Sequence, residues 1–260
     1  MELIGLAGEK YSGKNTAAQV LIENYGFKEY SVARPLKELV SKVFDIPYEN
    51  LDDAKLKEVP FETPLVITQD DVYEIVRQCS ALIGFESFRK SEETVIKNMS
   101  KKVIKKVSIN PVAPQQQGQP QGPVFRVPEY KTFETPRKVL QFVGTDLVRD
   151  CISPYFWCKV LDFMIVNEKS VVLTDVRFFE EREYVKLKAG TLVKIERIIE
   201  GTEKSKDGHA SENSMGTLDE YHYLILNDGS PDDLKGRLET VYVYSNLLRT
   251  RKVQQIETKE

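Results

Sequence analysis

Cysteine, histidine and tryptophan are scarce in this chain, at three, two and one among 260 residues. Cys79, Cys151 and Cys158 form an odd set without a CxxC spacing, which argues against a disulfide framework and a zinc site. Buried apolar thiols are the expectation for all three, with Cys151 and Cys158 two helical turns apart on one face. His209, Ser211 and Glu212 complete no triad and have no metal-ligand spacing, so the stretch from 204 to 216 reads as a loop. Long apolar runs are missing too: none approaches the ~18 residues of a membrane span, and the N-terminus lacks the build of a signal peptide. Nor does one charge dominate, with 37 Lys and Arg against 40 Asp and Glu, a net charge of −3 and a pI near 5.7. Such a chain has no basic field for a nucleic-acid polymer, and a small anionic ligand suits it better. The expectation is a cytoplasmic protein (host-cell cytoplasm if the source is viral) with no membrane partner.

Hydrophobic residues at 41% and charged residues at 30% suffice for one large α/β domain or two small ones. Glu2 to Ala7 is a short apolar run ending at glycine, the pattern of a buried parallel strand. From Asn15 to Tyr25, Ala17, Val20, Leu21 and Tyr25 follow helical spacing, and Gly26 is the stop. A weak strand is expected over Glu29 to Ala33, then a helix opened by Pro35. Thr68 with Asp71 resembles a capping box for a helix that Gly84 ends, and Ser91 to Val107 continues as a lysine-rich helix. Residues 111–128, PVAPQQQGQPQGPVFRVP, cannot bury enough surface to order themselves and are expected to be a mobile loop. Helical signals resume at Thr135-Pro136 and Ser153-Pro154. Strands are expected at Val171 to Thr174, Thr191 to Ile195 and Tyr223 to Leu226, with a helix from Phe178 to Lys188 between the first two. The last helix opens at Ser230-Pro231-Asp232-Asp233, and a polar, fraying tail is expected from 249 to 260. Alternation of strands and helices indicates an α/β fold in three layers around a mainly parallel sheet.

Gly8 to Lys14, GEKYSGK, fits GxxxxGK and lies between a first strand and a first helix, the context a phosphate loop requires. Backbone N–H groups there can wrap a β-phosphate, assisted by the helix N-terminus. Gly8 and Gly13 allow backbone angles that a Cβ hinders, and Lys14 can bridge β- and γ-phosphates. Ser12, Gly13, Lys14, Asn15 and Thr16 complete the nucleotide-binding set. The hydroxyl that commonly follows the lysine is displaced by one position, to Thr16. The magnesium ligand therefore lies between Thr16 and a water-mediated arrangement at Asn15. A glycine-rich turn that only links strand to helix is the alternative.

The blocks GEKYSGKNT at 8–16, RKVLQFVGTDLVRD at 137–150 with Trp157 after it, VVLTDVRFFEERE at 171–183 and NDGSPDDL at 227–234 resemble the deoxynucleoside monophosphate kinases of large tailed bacteriophages. SVARPLKE at 31–38 is a looser match, and the span from about 45 to 134 has little counterpart. The resemblance implies a P-loop kinase fold, ATP with Mg²⁺, a deoxynucleoside monophosphate acceptor and a homodimer. It also implies a P-loop core at 1–44 and 135–248 and a helical insertion at 45–134. Acceptor-binding residues would be Arg34, Lys37, Arg137, Lys138, Gln141, Thr145, Asp146, Arg149, Trp157, Asp175 and Arg182; for Trp157, flanked by apolar positions, a core role is the alternative to stacking on a base. Arg137, Gln141 and Thr145 share one face at helical spacing, where a cation, an amide and a hydroxyl can clamp a phosphate and a base. A solvated helix face is the plainer account of the same residues. Asp175, at the C-terminal end of a strand, and Arg177 join Lys14 and Arg137 as candidate catalytic groups. Asn227, Asp228 and Gly229 would approach the adenine, or form a turn with a cap. Two rivals stay open: another small-molecule P-loop kinase, of the dephospho-coenzyme A or phosphomevalonate type, and a non-catalytic nucleotide-binding module.

Overall fold

A computed structural model describes residues 1–83, 91–107, 130–197 and 215–257. The Gln/Pro-rich stretch 111–128, the expected stop at Gly84 and most of the 204–216 loop lie outside these residues. The chain divides into two compact units, Met1–Val32 with Met164–Glu260, and Ala33–Phe163.

In chain order the first unit begins with β1 (Glu2–Ala7), α1 (Lys14–Tyr25) and β2 (Lys28–Tyr30). The second unit follows with α2 (Arg34–Phe44), α3 (Tyr48–Asp52), β3 (Leu65–Thr68), α4 (Gln69–Leu82), α5 (Ser91–Val107), β4 (Tyr130–Phe133), α6 (Pro136–Gln141) and α7 (Phe156–Ile165). The chain then returns through β5 (Ser170–Val176), α8 (Phe179–Leu187), β6 (Thr191–Arg197), β7 (Tyr223–Asn227) and α9 (Pro231–Glu257). Helix α9 thus runs through most of the span expected as a tail.

The first unit is built on a five-stranded sheet ordered β2-β5-β1-β6-β7. Every adjacent pair in it is parallel. A parallel pair needs a crossover, so helices cover the sheet and its inner strands β1, β5 and β6 are largely buried. That is why β1 and β5 read as unbroken apolar runs. Leu3, Ile4, Leu6 and Ala7 are buried, as are Val171, Val172 and Leu173. Ala17, Ala18, Val20 and Leu21 of α1 pack with Ile4, Leu6, Val172, Val193 and Ile225 and with Leu234 and Leu238 of α9. Each leucine so buried contributes about 1.5–3 kcal/mol relative to exposure. Because all five strands run the same way, their C-terminal ends form one edge, from which the loops after β1, β2, β5, β6 and β7 emerge.

In the second unit, β3 and β4 form a separate antiparallel pair. The capping box at Thr68 is reciprocal: Asp71 N–H donates to Thr68 Oγ1 at 3.3 Å, and Thr68 N–H donates to Asp71 Oδ2 at 2.8 Å. Helix α2 packs on α3, α4 and α6, so the helices of 34–44 and 136–163 share a unit with 45–134. The resemblance groups them instead with the phosphate-loop core. Pro136 opens α6 after Thr135, whose Oγ1 accepts from Lys138 N–H at 3.3 Å. The helix does not continue at one pitch. Phe142–Arg149 is π-helical, with Phe142, Val143, Gly144, Leu147 and Val148 buried. Gly144 has a packing reason, since a Cβ there would stand 2.5 Å from Leu36 Cδ2 of α2. The break around Ser153 separates Cys151 from α7, so Cys151 and Cys158 share no helix face. Cys79 and Cys158 are buried and Cys151 is only partly so. Burial pushes the Cys79 thiol up to about 12.

Candidate functional site

The turn after β1 is shaped by its backbone. Gly8 has φ 153°, Tyr11 64° and Gly13 108°. Ser12 N–H donates to Glu9 O at 3.2 Å, closing a turn in which Tyr11 adopts an angle that non-glycine residues seldom take. A Cβ on Gly8 would lie 2.3 Å from the Ile195 carbonyl oxygen and 2.5 Å from Ser12 Oγ. Lys14 folds back over the loop, donating to Gly8 O at 2.8 Å and Glu9 O at 2.7 Å. Its ammonium group is thus held at the mouth of the turn by two carbonyls that an anionic ligand can replace. Ser12 is buried, and its hydroxyl has no hydrogen-bond partner among the described residues. A buried hydroxyl without a partner is costly, which fits a site completed by a ligand oxygen. Asn15 and Thr16 occupy the first turn of α1, whose opening amides lack carbonyl partners within the helix and favour negative charge.

Asp175 stands near the end of β5 and is occupied on both oxygens. Ser31 Oγ donates to Oδ2 at 2.5 Å and Val32 N–H to Oδ1 at 2.8 Å. It ties the loop after β2 to β5, and Ser31, a hydroxyl placed directly after β2, was a partner the sequence offered without being singled out. The backbone of Arg177 is fixed from two sides. Its N–H donates to Glu181 Oε2 at 2.7 Å, and its carbonyl accepts from Arg182 Nη1. Arg182 is a correction to the expected acceptor set. It is 3% exposed and its remaining donors go to Glu220 at 2.7 Å, so it braces the β5 loop and presents no free face to a substrate. Burial pulls the Glu220 pKa upward, but the hydrogen bonds from Arg182 and the Thr217 N–H, together with the Arg182 and Lys186 charges, outweigh it and leave this carboxyl below its ordinary range.

At the end of β7, Asn227 is buried, and its Nδ2 donates to Ser12 O at 2.9 Å. Asp228 pairs with Arg237 at 2.8 Å, and Gly229 leads into α9 through a cap in which Ser230 N–H donates to Asp233 Oδ2 at 2.8 Å. The first unit therefore gathers Gly8 to Thr16, Ser31, Asp175, Arg177 and Asn227 to Gly229 along one edge of its sheet. This is where parallel α/β sheets bind ligands.

In the second unit four of the expected cations are matched with a carboxylate: Arg34 with Glu38 at 2.8 Å, Lys37 with Asp52 at 2.8 Å, Lys138 with Glu134 at 2.6 Å, and Arg137 with Glu58. Glu38, Asp52, Glu134 and Glu58 are about half exposed or more, so these pairs are weak and a phosphate can displace them. The residues Arg137, Gln141 and Thr145 span the change from α to π pitch. Beyond Gln141 the π pitch adds residues to each turn, and Arg137, Gln141, Thr145 and Arg149, four apart, are all partly buried. Asp146 is exposed. Of the two readings of Trp157, the structure favours the core role over base stacking. Trp157 is 6% exposed, its indole N–H donates to Gly144 O at 3.1 Å, and Phe156 meets its ring edge-on. It locks the π segment to α7 and has no face left for a base.

Among the described residues no group of three or more His, Cys, Asp and Glu could hold a metal, and no helix is long and apolar enough to cross a membrane.

The profile of one family, deoxynucleotide monophosphate kinase, matches residues 2–238. A protein of Acanthamoeba polyphaga mimivirus is 27% identical over 252 residues, covering 92% of this chain and 94% of its own. The deoxynucleotide monophosphate kinase of Escherichia phage RB69 is 25% identical over 268 residues, 93% of this chain and 99% of its own. The deoxynucleoside-5'-monophosphate kinase of Escherichia phage T5 is 29% identical over 196 residues, 71% of each chain.

Proposed function

The chain belongs to the deoxynucleotide monophosphate kinase family and is a phosphotransferase acting on that small acceptor; we propose that it takes the γ-phosphoryl group of ATP at the loop between β1 and α1. The buried, unpartnered Ser12 hydroxyl in a glycine-shaped turn roofed by Lys14 carries this reading.

In the proposed reaction an oxygen of the acceptor's phosphate forms a bond to the γ-phosphorus while the bond from that phosphorus to the β,γ-bridging oxygen breaks. ADP leaves with the electron pair, and the acceptor becomes a diphosphate. The attacking oxygen is already anionic, so no strong general base is needed. Catalysis then comes from positioning and charge neutralisation. Lys14 exchanges the Gly8 and Glu9 carbonyls for β- and γ-oxygens. Ser12 Oγ and the first-turn amides of α1 hold the β-phosphate. Arg177, on a backbone fixed by Glu181 and Arg182, offers a guanidinium to the oxygens on which charge builds. Asp175 fixes Ser31 and Val32 at the end of β2, acting through the loop it ties. Mg²⁺ would offset phosphate charge, held by the Thr16 hydroxyl, water and phosphate oxygens, a hard oxygen set that needs no carboxylate cluster. Arg137 is proposed to leave Glu58 for the acceptor's phosphate, and Arg34, Lys37 and Lys138 are proposed to add to that charge. A homodimer acting in the cytoplasm completes the reading.

The test is a coupled ADP-release assay with dAMP, dGMP, dCMP and dTMP beside the ribonucleotides, dephospho-coenzyme A and phosphomevalonate. Turnover is expected with at least one deoxynucleotide and with neither metabolite. Turnover with a metabolite alone would overturn the acceptor assignment.

A further inference from the structure

Asn227 lies outside the GxxxxGK turn and 215 residues away in sequence, yet its amide is the group that holds the turn's last peptide. We infer that Asn227 is a positioning residue for the donor's phosphates, acting through the Ser12–Gly13 peptide, with no contact to the adenine. This rests on the proposed ATP site.

A trans peptide is planar, and its C=O and N–H point in opposite directions. Asn227 Nδ2 takes the Ser12 carbonyl at 2.9 Å. The Gly13 N–H of the same peptide is thereby turned away from β7. That amide makes no hydrogen bond among the described residues, so it is left to face a ligand. Gly13 also shows how closely the two groups are fitted. A Cβ on it would stand 2.7 Å from Asn227 Nδ2 and 2.7 Å from Leu234 Cδ2, and its φ of 108° suits glycine. The Asn227 side chain is itself only 8% exposed, and one N–H of its amide is engaged by Ser12. An amide so placed can set the direction of a phosphate donor but has little surface for a base. An aspartate has the same shape and only acceptors. Opposite the Ser12 carbonyl it would repel the oxygen it now holds and let the peptide turn.

The discriminating experiment compares wild type and Asn227→Asp for ATP KM, for competitive inhibition by inorganic tripolyphosphate, and for the KM of the deoxynucleotide. Tripolyphosphate has the phosphates of ATP and no base. The ATP KM and the tripolyphosphate Ki are expected to rise together by about tenfold, the deoxynucleotide KM staying within about twofold. An ATP KM that rises while tripolyphosphate binds as to wild type would overturn the inference in favour of an adenine contact. Unchanged values for both would overturn it outright. If Asn227→Asp does not fold, Asn227→Leu, an apolar side chain of similar size, carries the same comparison. Failure of wild type to bind either compound would instead defeat the ATP site itself, a result distinguishable from failure of Asn227 alone.

Discussion

The turn from Gly8 to Lys14 and the helical stretch from Pro136 to Arg149 both set a glycine among cations and hydroxyls. In the turn the backbone makes the site. Its angles at Gly8, Tyr11 and Gly13, the 2.3 Å that a Cβ on Gly8 would leave to Ile195 O, and the Asn227 tether all fix amide directions. In the helix, side chains carry the proposed chemistry, and the backbone's task is to pack. Gly144 there admits Leu36 and gives its carbonyl to Trp157. A site made of amides tolerates little variation in residue type at its turning points, whereas one made of side chains depends on which way a helix faces.

That contrast predicts its strongest signal at Lys14. Lys14→Ala should lower kcat by about 10²–10³-fold, the range for removing one preorganised charge donor. Circular dichroism and Tm should stay near wild type, because the Lys14 bonds to the Gly8 and Glu9 carbonyls lie in the loop and not in the core. Near-normal turnover would remove the distinction between the two regions altogether.

Gly8→Ala comes next. The atom it would strike is a backbone oxygen of β6, which cannot swing aside, and φ is 153°. Overpacking of this kind costs about 1–3 kcal/mol, read as a lower Tm together with a raised ATP KM. An unaffected ATP KM would show that the loop has slack and that its glycine is not steric in origin.

For the helix, Arg137→Ala tests whether side chains reach the acceptor. Loss of a charge-assisted bond is worth about 1.5–3 kcal/mol, so the deoxynucleotide KM should rise about tenfold or more with the ATP KM unchanged. A rise in both would move Arg137 from acceptor binding to general support of the unit, where its partner is Glu58.

These expectations follow the line between what could be read in advance and what could not. The phosphate loop was legible because its requirements are local: a strand, glycines at fixed offsets, a lysine and a helix start. The cap at Thr68 and the stop at Gly26, with φ 69°, were legible for the same reason. The order β2-β5-β1-β6-β7 is not local, since a run such as VVLT names a buried strand without naming its neighbours. Arg182 was misread because Glu220, the carboxylate that buries it, stands 38 residues further on. Nothing in QFVGTDLVR announces a π pitch until Leu36 and Trp157 are seen against Gly144.

Gly144→Ala turns that last point into the weakest and most telling measurement. The added methyl meets Leu36 Cδ2 at 2.5 Å, but that atom is the free end of a flexible side chain and can rotate away. Against this, alanine gains roughly 1 kcal/mol over glycine inside a helix. The two terms nearly cancel, so the Tm should move by the equivalent of less than about 1 kcal/mol, with both KM values near wild type. A glycine-to-alanine change is then severe at Gly8, where a backbone oxygen faces it, and mild at Gly144, where a leucine tip does. If Gly144→Ala instead abolishes acceptor binding with Tm intact, the π segment is a site built by its backbone after all, and the two regions work alike.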